Sequence, residues 1–203
     1  MSKHPVISLI CGFALSFCAA ASPAHAMDQA AYNAAQSELA GVLYDLEGNL
    51  IEQEAIEMNA KTLTPKGESI TARYADYEQR IQQHNAYCQG TYAEPEYSRR
   101  LAQCNAEQAQ INDLIRQLDI ERDSYAAQVQ ELQARDARRQ QAAQPILKRL
   151  ETGVVHLVTT CIDMTLAEQQ QFCHLPTAPG PRTRPLVDQM NEALLGEVTK
   201  LAQ

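Results

Sequence analysis

Few side chains in this 203-residue chain are placed to do chemistry. His84 precedes Cys88 by one helical turn, and Cys104 follows after a short break in the helical pattern. One imidazole and two thiolates would be soft donors suited to zinc or copper, so His84, Cys88 and Cys104 form one candidate metal set. His156 and His174, near Cys161 and Cys173, form a second. Neither set has the close CxxC or HxxxH spacing of a dedicated site. In an exported chain cysteines oxidise, so the reading is two disulfides, with no metal ligand and no cofactor assigned.

Catalysis finds no foothold. A nucleophilic Ser or Cys needs a base held within hydrogen-bond reach, and no glycine cluster builds a nucleophile elbow or a phosphate loop. The carboxylates are spread over helix faces, where nothing displaces their pKa values. The expectation is a protein that is not an enzyme.

The N-terminus sets the compartment. Lys3 and His4 precede an apolar, uncharged run from Val6 to Ala21, and Ala24-His25-Ala26 has the small-x-small form of a cleavage site. Residues 1–26 read as a secretory signal peptide; the run is shorter than the roughly 20 residues a span needs. A lipid anchor at Cys18 is disfavoured by bulky Phe17 before it. Cys11 and Cys18 leave with the signal, so Cys88, Cys104, Cys161 and Cys173 remain. Four cysteines allow three connectivities. Loss of Lys3 takes the net charge from −8 to −9. That acidity opposes binding to nucleic acid or an anionic membrane surface. The location expected is a periplasm, with no membrane span after cleavage.

The elements that must position these residues are helices. The chain has no Trp and three Phe, and it is rich in Ala, Gln, Glu, Leu and Arg, a composition of long helices with narrow seams. Ile70, Tyr74, Tyr77, Ile81, His84 and Cys88 fall at alternating steps of four and three. After Gly90, a natural C-cap, and Pro95, the pattern resumes at Tyr97, Leu101, Cys104, Gln108, Ile111, Ile115, Leu118, Arg122, Tyr125, Val129, Leu132 and Asp136. Folding back near residue 96 pairs positions whose numbers total 192: Cys88 with Cys104, Ile81 with Ile111, Tyr77 with Ile115, Tyr74 with Leu118. This register selects Cys88–Cys104 as one disulfide and leaves Cys161–Cys173 as the other. Tyr74, Tyr77 and Tyr97 are expected in the core. Tyr87 and Tyr92 form a candidate partner surface.

Before this pair lies a helical stretch with Leu39, Leu43, Leu46 and Leu50. Pro65 and Gly67 read as a break, with Ser69 as the next N-cap. The first helix either continues the line of the second, with a one-residue slip that sets Leu39 against Val154, or folds back as a third helix. Pro145 breaks or kinks the long helix, after which Leu147, Leu150, Val154, Leu157 and Cys161 share a face. Asp163 or Thr165 caps a short helix, and Thr165 to Glu168 fits a capping box. Residues 176–185 read as a Pro-rich linker. Residues 186–203 read as an amphipathic helix with Val187, Met190, Leu194, Val198 and Leu201 on one stripe that packs on the bundle. Mixed charge at Arg135, Asp136, Arg138 and Arg139 reads as a solvated face.

The fold expected is all-α: an elongated antiparallel coiled-coil hairpin with additional packed helices, disulfide-stapled, in a domain of residues 27–175. The function expected is that of a non-catalytic exported scaffold or adaptor that binds an envelope protein or itself. The alternatives are a periplasmic chaperone holding unfolded clients, and a metal-binding module using His84, Cys88 and Cys104.

Overall fold

The computed structural model describes residues 28–162 and 164–201, with side chains through residue 196. The segment expected to be a signal peptide and Asp163 as a cap lie outside the described residues, as do the side chains of the stripe residues Val198 and Leu201. Among the described residues the chain is helical without strands: α1 is Gln29–Cys88, α2 Glu96–Ile162, α3 Leu166–Phe172 and α4 Arg184–Leu201. With 60 and 67 residues, α1 and α2 extend about 90 and 100 Å at 1.5 Å per residue. They lie antiparallel, with cross-helix contacts from Leu39 beside Gly153 to Cys88 bonded to Cys104.

Neither proline breaks its helix. Pro65 lies inside α1 and Pro145 inside α2, both exposed. A proline ring costs one backbone bond and crowds the preceding turn. Here that cost falls on the solvent side, while the opposite side of each helix packs on its neighbour. The expected break at Thr62 to Ser69 is thus absent, and the first helix continues the line of the second. Nor is there a slip. Leu39 sits over Gly153, Gly67 against Tyr125, and Cys88 is bonded to Cys104; the two numbers of each pair total 192.

The sequence holds the signal for this continuity. Ala35, Leu39, Val42, Leu46, Asn49, Gln53, Ile56, Ala60, Leu63, Gly67 and Ile70 follow the same steps of four and three without a phase change. Two small residues on the facing seams, Gly153 of α2 and Gly67 of α1, meet large partners. A Cβ on Gly153 would stand 2.8 Å from Leu39 Cδ2, and one on Gly67 would meet the far end of the Tyr125 ring.

The core is concentrated at one end. Tyr32, Ala35, Leu39, Val42, Leu43 and Leu46 of α1 pack with Leu150, Leu157 and Cys161 of α2, with Met164, Cys173 and Leu175, and with Val187 and Met190 of α4. The last helix therefore packs on the bundle, as its stripe implied. Beyond Leu46 the two helices bury only Glu47, Ile56, Ile70, His84, Ile111 and Leu118. Asp28 caps α1 by accepting from the amides of Ala30 and Ala31 at 3.0 and 3.1 Å. Thr165 and Glu168 form the expected capping box on α3.

The expected linker ends early: residues 176–183 are irregular, with a turn at 181–183, and α4 begins at Arg184, yet the segment is not free. Glu47 holds it down. Its carboxylate accepts from the Thr183 amide at 2.8 Å and hydroxyl at 2.9 Å, and from the Arg182 amide and guanidinium. Gly180 lies against the same side chain, which leaves no room for a Cβ. Burial pushes the Glu47 carboxyl up, but these donors outweigh it and hold the group below its ordinary range. Its contribution to stability is therefore full above the unfolded value of about 4.3 and is lost as pH falls through the folded one.

Two measurements test this packing. Replacing Glu47 by Ala strands the Thr183 donors and lowers stability by about 1 to 3 kcal/mol at pH 7; thermal melts followed by circular dichroism should show the difference from the parent shrinking toward pH 3. Glycine to alanine at 67 raises stability by up to about 1 kcal/mol, because the Tyr125 ring end can swing away and alanine favours a helix. At 153 the same change lowers stability, because fully buried Leu39 has nowhere to go.

Candidate functional site

The turn between α1 and α2 gathers Tyr87, Tyr92 and the candidate metal set His84, Cys88 and Cys104, whereas Cys161 and Cys173 lie at the opposite end of the long helices. Cys88 and Cys104 are disulfide-bonded with Cα atoms 6.0 Å apart, and Cys161 and Cys173 with Cα atoms 5.8 Å apart. Both pairs fall within the Cα separations a disulfide requires. One joins the long helices near their turn and the other ties the end of α2 to the end of α3.

Disulfide formation changes the candidate metal set. With the two sulfurs bonded to each other, His84 pairs across the helices with Glu107, whose Oε2 lies 3.2 Å from His84 Nδ1. Donation from Gln103 and then from His84 holds the Glu107 carboxyl below its ordinary range. Among the described residues no three His, Cys, Asp or Glu side chains converge as metal ligands. His84 is buried on the seam above the disulfide, with Cys88 Sγ 3.6 Å from its Nδ1.

Tyr87 and Tyr92 are half-buried and engaged with Arg100. Its guanidinium carbon stands 4.6 Å from the Tyr87 ring centre and 3.7 Å from that of Tyr92, a cation held between two aromatic faces. The Tyr87 hydroxyl donates to Gln103 at 3.1 Å, and Arg100 Nε also donates to Glu96 at 3.2 Å. Gly90 does not serve as a left-handed cap, since no glycine among the described residues has positive φ and Gln89 closes α1. Its lack of a side chain instead makes room for the Tyr92 ring.

Tyr97 and Leu101, expected on the seam, are exposed. In the 192 register they face residues 95 and 91, which belong to the turn and not to a helix. Tyr74 and Tyr77 are half-buried; the Tyr74 hydroxyl donates to Asp119 at 2.6 Å, and that bond raises its pKa. The apex thus combines an internal Tyr-Arg-Tyr stack with an apolar pair left in solvent.

Toward the base a second feature was not legible as a site. A shallow groove of about 620 Å³ runs between α1 and α2, lined by Tyr44, Asp45, Gly48, Asn49 and Glu52 opposite Arg135, Arg138, Arg139, Ala142 and Ile146. The expected solvated charge run is in part a cross-helix network. Arg135 pairs with Glu52 at 2.9 Å, and Asn49 donates to the Arg139 carbonyl at 3.0 Å while accepting from its guanidinium. Arg138 remains exposed.

The chain matches no family model, no curated protein and no solved structure among those compared. No described helix is long and apolar enough to cross a membrane.

The apex makes one stability prediction. Replacing Cys88 and Cys104 together by Ser removes a cross-link that closes a short loop, worth about 3 kcal/mol in the chain-entropy account. Amide exchange from residues 81 to 111 should accelerate strongly while the base, tied by its own disulfide, keeps its protection.

Proposed function

We propose that this chain is a non-catalytic, exported scaffold or adaptor of the periplasm: an antiparallel coiled-coil hairpin whose free end docks an envelope protein. The observation that carries the reading is the separation of packing from reach. Nearly all of the apolar core lies in the base, where α3 and α4 cover α1 and α2. From Glu57 to Cys88, about 48 Å at 1.5 Å per residue, two helices run on with few buried side chains. Such an arm stabilises its own fold little, and what it supplies is distance.

Its cross-helix polar bonds favour a stiff spacer. Arg73 with Glu121, Tyr74 with Asp119, His84 with Glu107 and Tyr87 with Gln103 tie the helices at intervals. Two disulfides and the absence of an apolar span among the described helices are compatible with an exported soluble chain. Docking falls to the apex, where exposed Tyr97 and Leu101 flank the stacked Tyr87, Arg100 and Tyr92, residue types enriched at interface centres.

The test is site-specific crosslinking in growing cells. A photoreactive residue at position 97 or 101 should capture a discrete envelope protein, while one at exposed Thr152 on the base should not. Absence of adducts at both apex positions overturns the docking proposal. The purified protein should leave aggregation of a denatured model client unchanged; suppression at equimolar amounts would favour the chaperone reading instead.

A further inference from the structure

The outer face of α1 in the base carries a second seam that nothing among the described residues covers. Gly41, Tyr44, Gly48, Ile51, Ala55 and Met58 repeat the steps of three and four, two residues out of phase with the seam that meets α2. That offset turns them by about 200°, to the opposite side of the helix. Tyr44, Ile51 and Met58 are 72 %, 47 % and 62 % exposed, and nothing lies within 4 Å of a Cβ placed on Gly41 or Gly48.

Large and small residues alternate strictly along this stripe, which makes it complementary to itself. Laid antiparallel on a second copy, positions whose numbers total 99 meet: Gly41 with Met58, Tyr44 with Ala55, Gly48 with Ile51. Each bulky side chain then falls on a small one, twice over, as a two-fold interface requires. Parallel stacking would set Tyr44 on Tyr44 and Gly48 on Gly48, wasting the fit.

Charge permits the same pairing. The carboxylates beside the stripe are Asp45 and Glu52 on one flank and Glu47 and Glu54 on the other. Uncompensated, they would repel a second copy. Each is instead paired with an arginine brought from elsewhere: Arg149 to Asp45 at 2.8 Å, Arg135 to Glu52 at 2.9 Å, and Arg182 to Glu47 and Glu54 at 3.3 and 2.6 Å. Arg138, exposed in the adjoining groove, adds a cation toward the acidic flank of the other copy.

We infer that the chain self-associates through this face into an antiparallel two-fold dimer. The dyad falls between residues 49 and 50, so the two arms point away from each other. Each apex stands about 58 Å from the dyad along the axis, which makes the dimer a spacer with identical ends.

Sedimentation and light scattering on protein purified from cells expressing the full chain should give twice the chain mass. Ile51→Asp and Tyr44→Asp should weaken association about 100-fold or more, because they bury charge in the interface. Ile120→Asp, exposed on α2 away from the seam, should leave it unchanged. Circular dichroism of Ile51→Asp should match the parent, since Ile51 lies outside the base core. Independently of any folding defect, Gly41→Cys protein mixed with Met58→Cys protein should form a mixed disulfide dimer under mild oxidation, and neither alone should do so efficiently. A monomer at every accessible concentration, a dimer indifferent to both aspartates, or Gly41→Cys crosslinked chiefly to itself would each overturn the proposal.

Discussion

One register between α1 and α2 governs everything else in this protein. Because facing positions keep the same relation from Leu39 over Gly153, through Gly67 against Tyr125, to the bonded Cys88 and Cys104, the two helices never have to renegotiate their fit. A one-residue displacement anywhere would rotate side chains off the seam by about 100° and set Leu39 against a branched side chain instead of a glycine. The disulfide near the turn fixes that relation at one end. The base core fixes it at the other. Between them, polar cross-helix bonds suffice.

The distribution of burial follows from chain geometry. Two helices alone offer each other one narrow face, so along the arm α1 buries a residue only about every fourth turn, at Ile56, Ile70 and His84. Where the chain returns as α3, the extended segment and α4, a second face of α1 is covered, and Val42 and Leu43 are buried together. Glu47 lies at the boundary of that cover. Its carboxylate collects the donors that an irregular, proline-rich segment cannot satisfy within itself, and so converts a run that reads as a linker into a docked strap.

Much of the architecture was legible. Helical class, both disulfides, the capping box at Thr165 and the inward stripe of the last helix all rest on short-range periodicity or on a choice among a few cysteine pairings. Pro65 and Gly67 have the local propensity of a break, but the helix runs through both because seam phase outweighs it. The four-three pattern crosses both residues without interruption, and Gly67 is itself a seam position made small by Tyr125. At the apex, reading Tyr97 and Leu101 as buried failed for a related reason: a pattern can continue past the last residue that has a partner. The Tyr87–Arg100–Tyr92 stack depends on a turn conformation that no periodicity encodes.

By itself the amino-acid sequence determined which residues lie on each helix face, because that depends only on spacing and on the 3.6-residue turn. It also determined which cysteines could meet. Tertiary structure alone decided that Glu47 pins a distant segment, and that three arginines, two on α2 and one in the segment before α4, neutralise the acids around an apolar outer stripe. Those outcomes turn on side chains 83 to 136 residues apart reaching the same few ångströms, and the free energy of such meetings has no signature in local pattern.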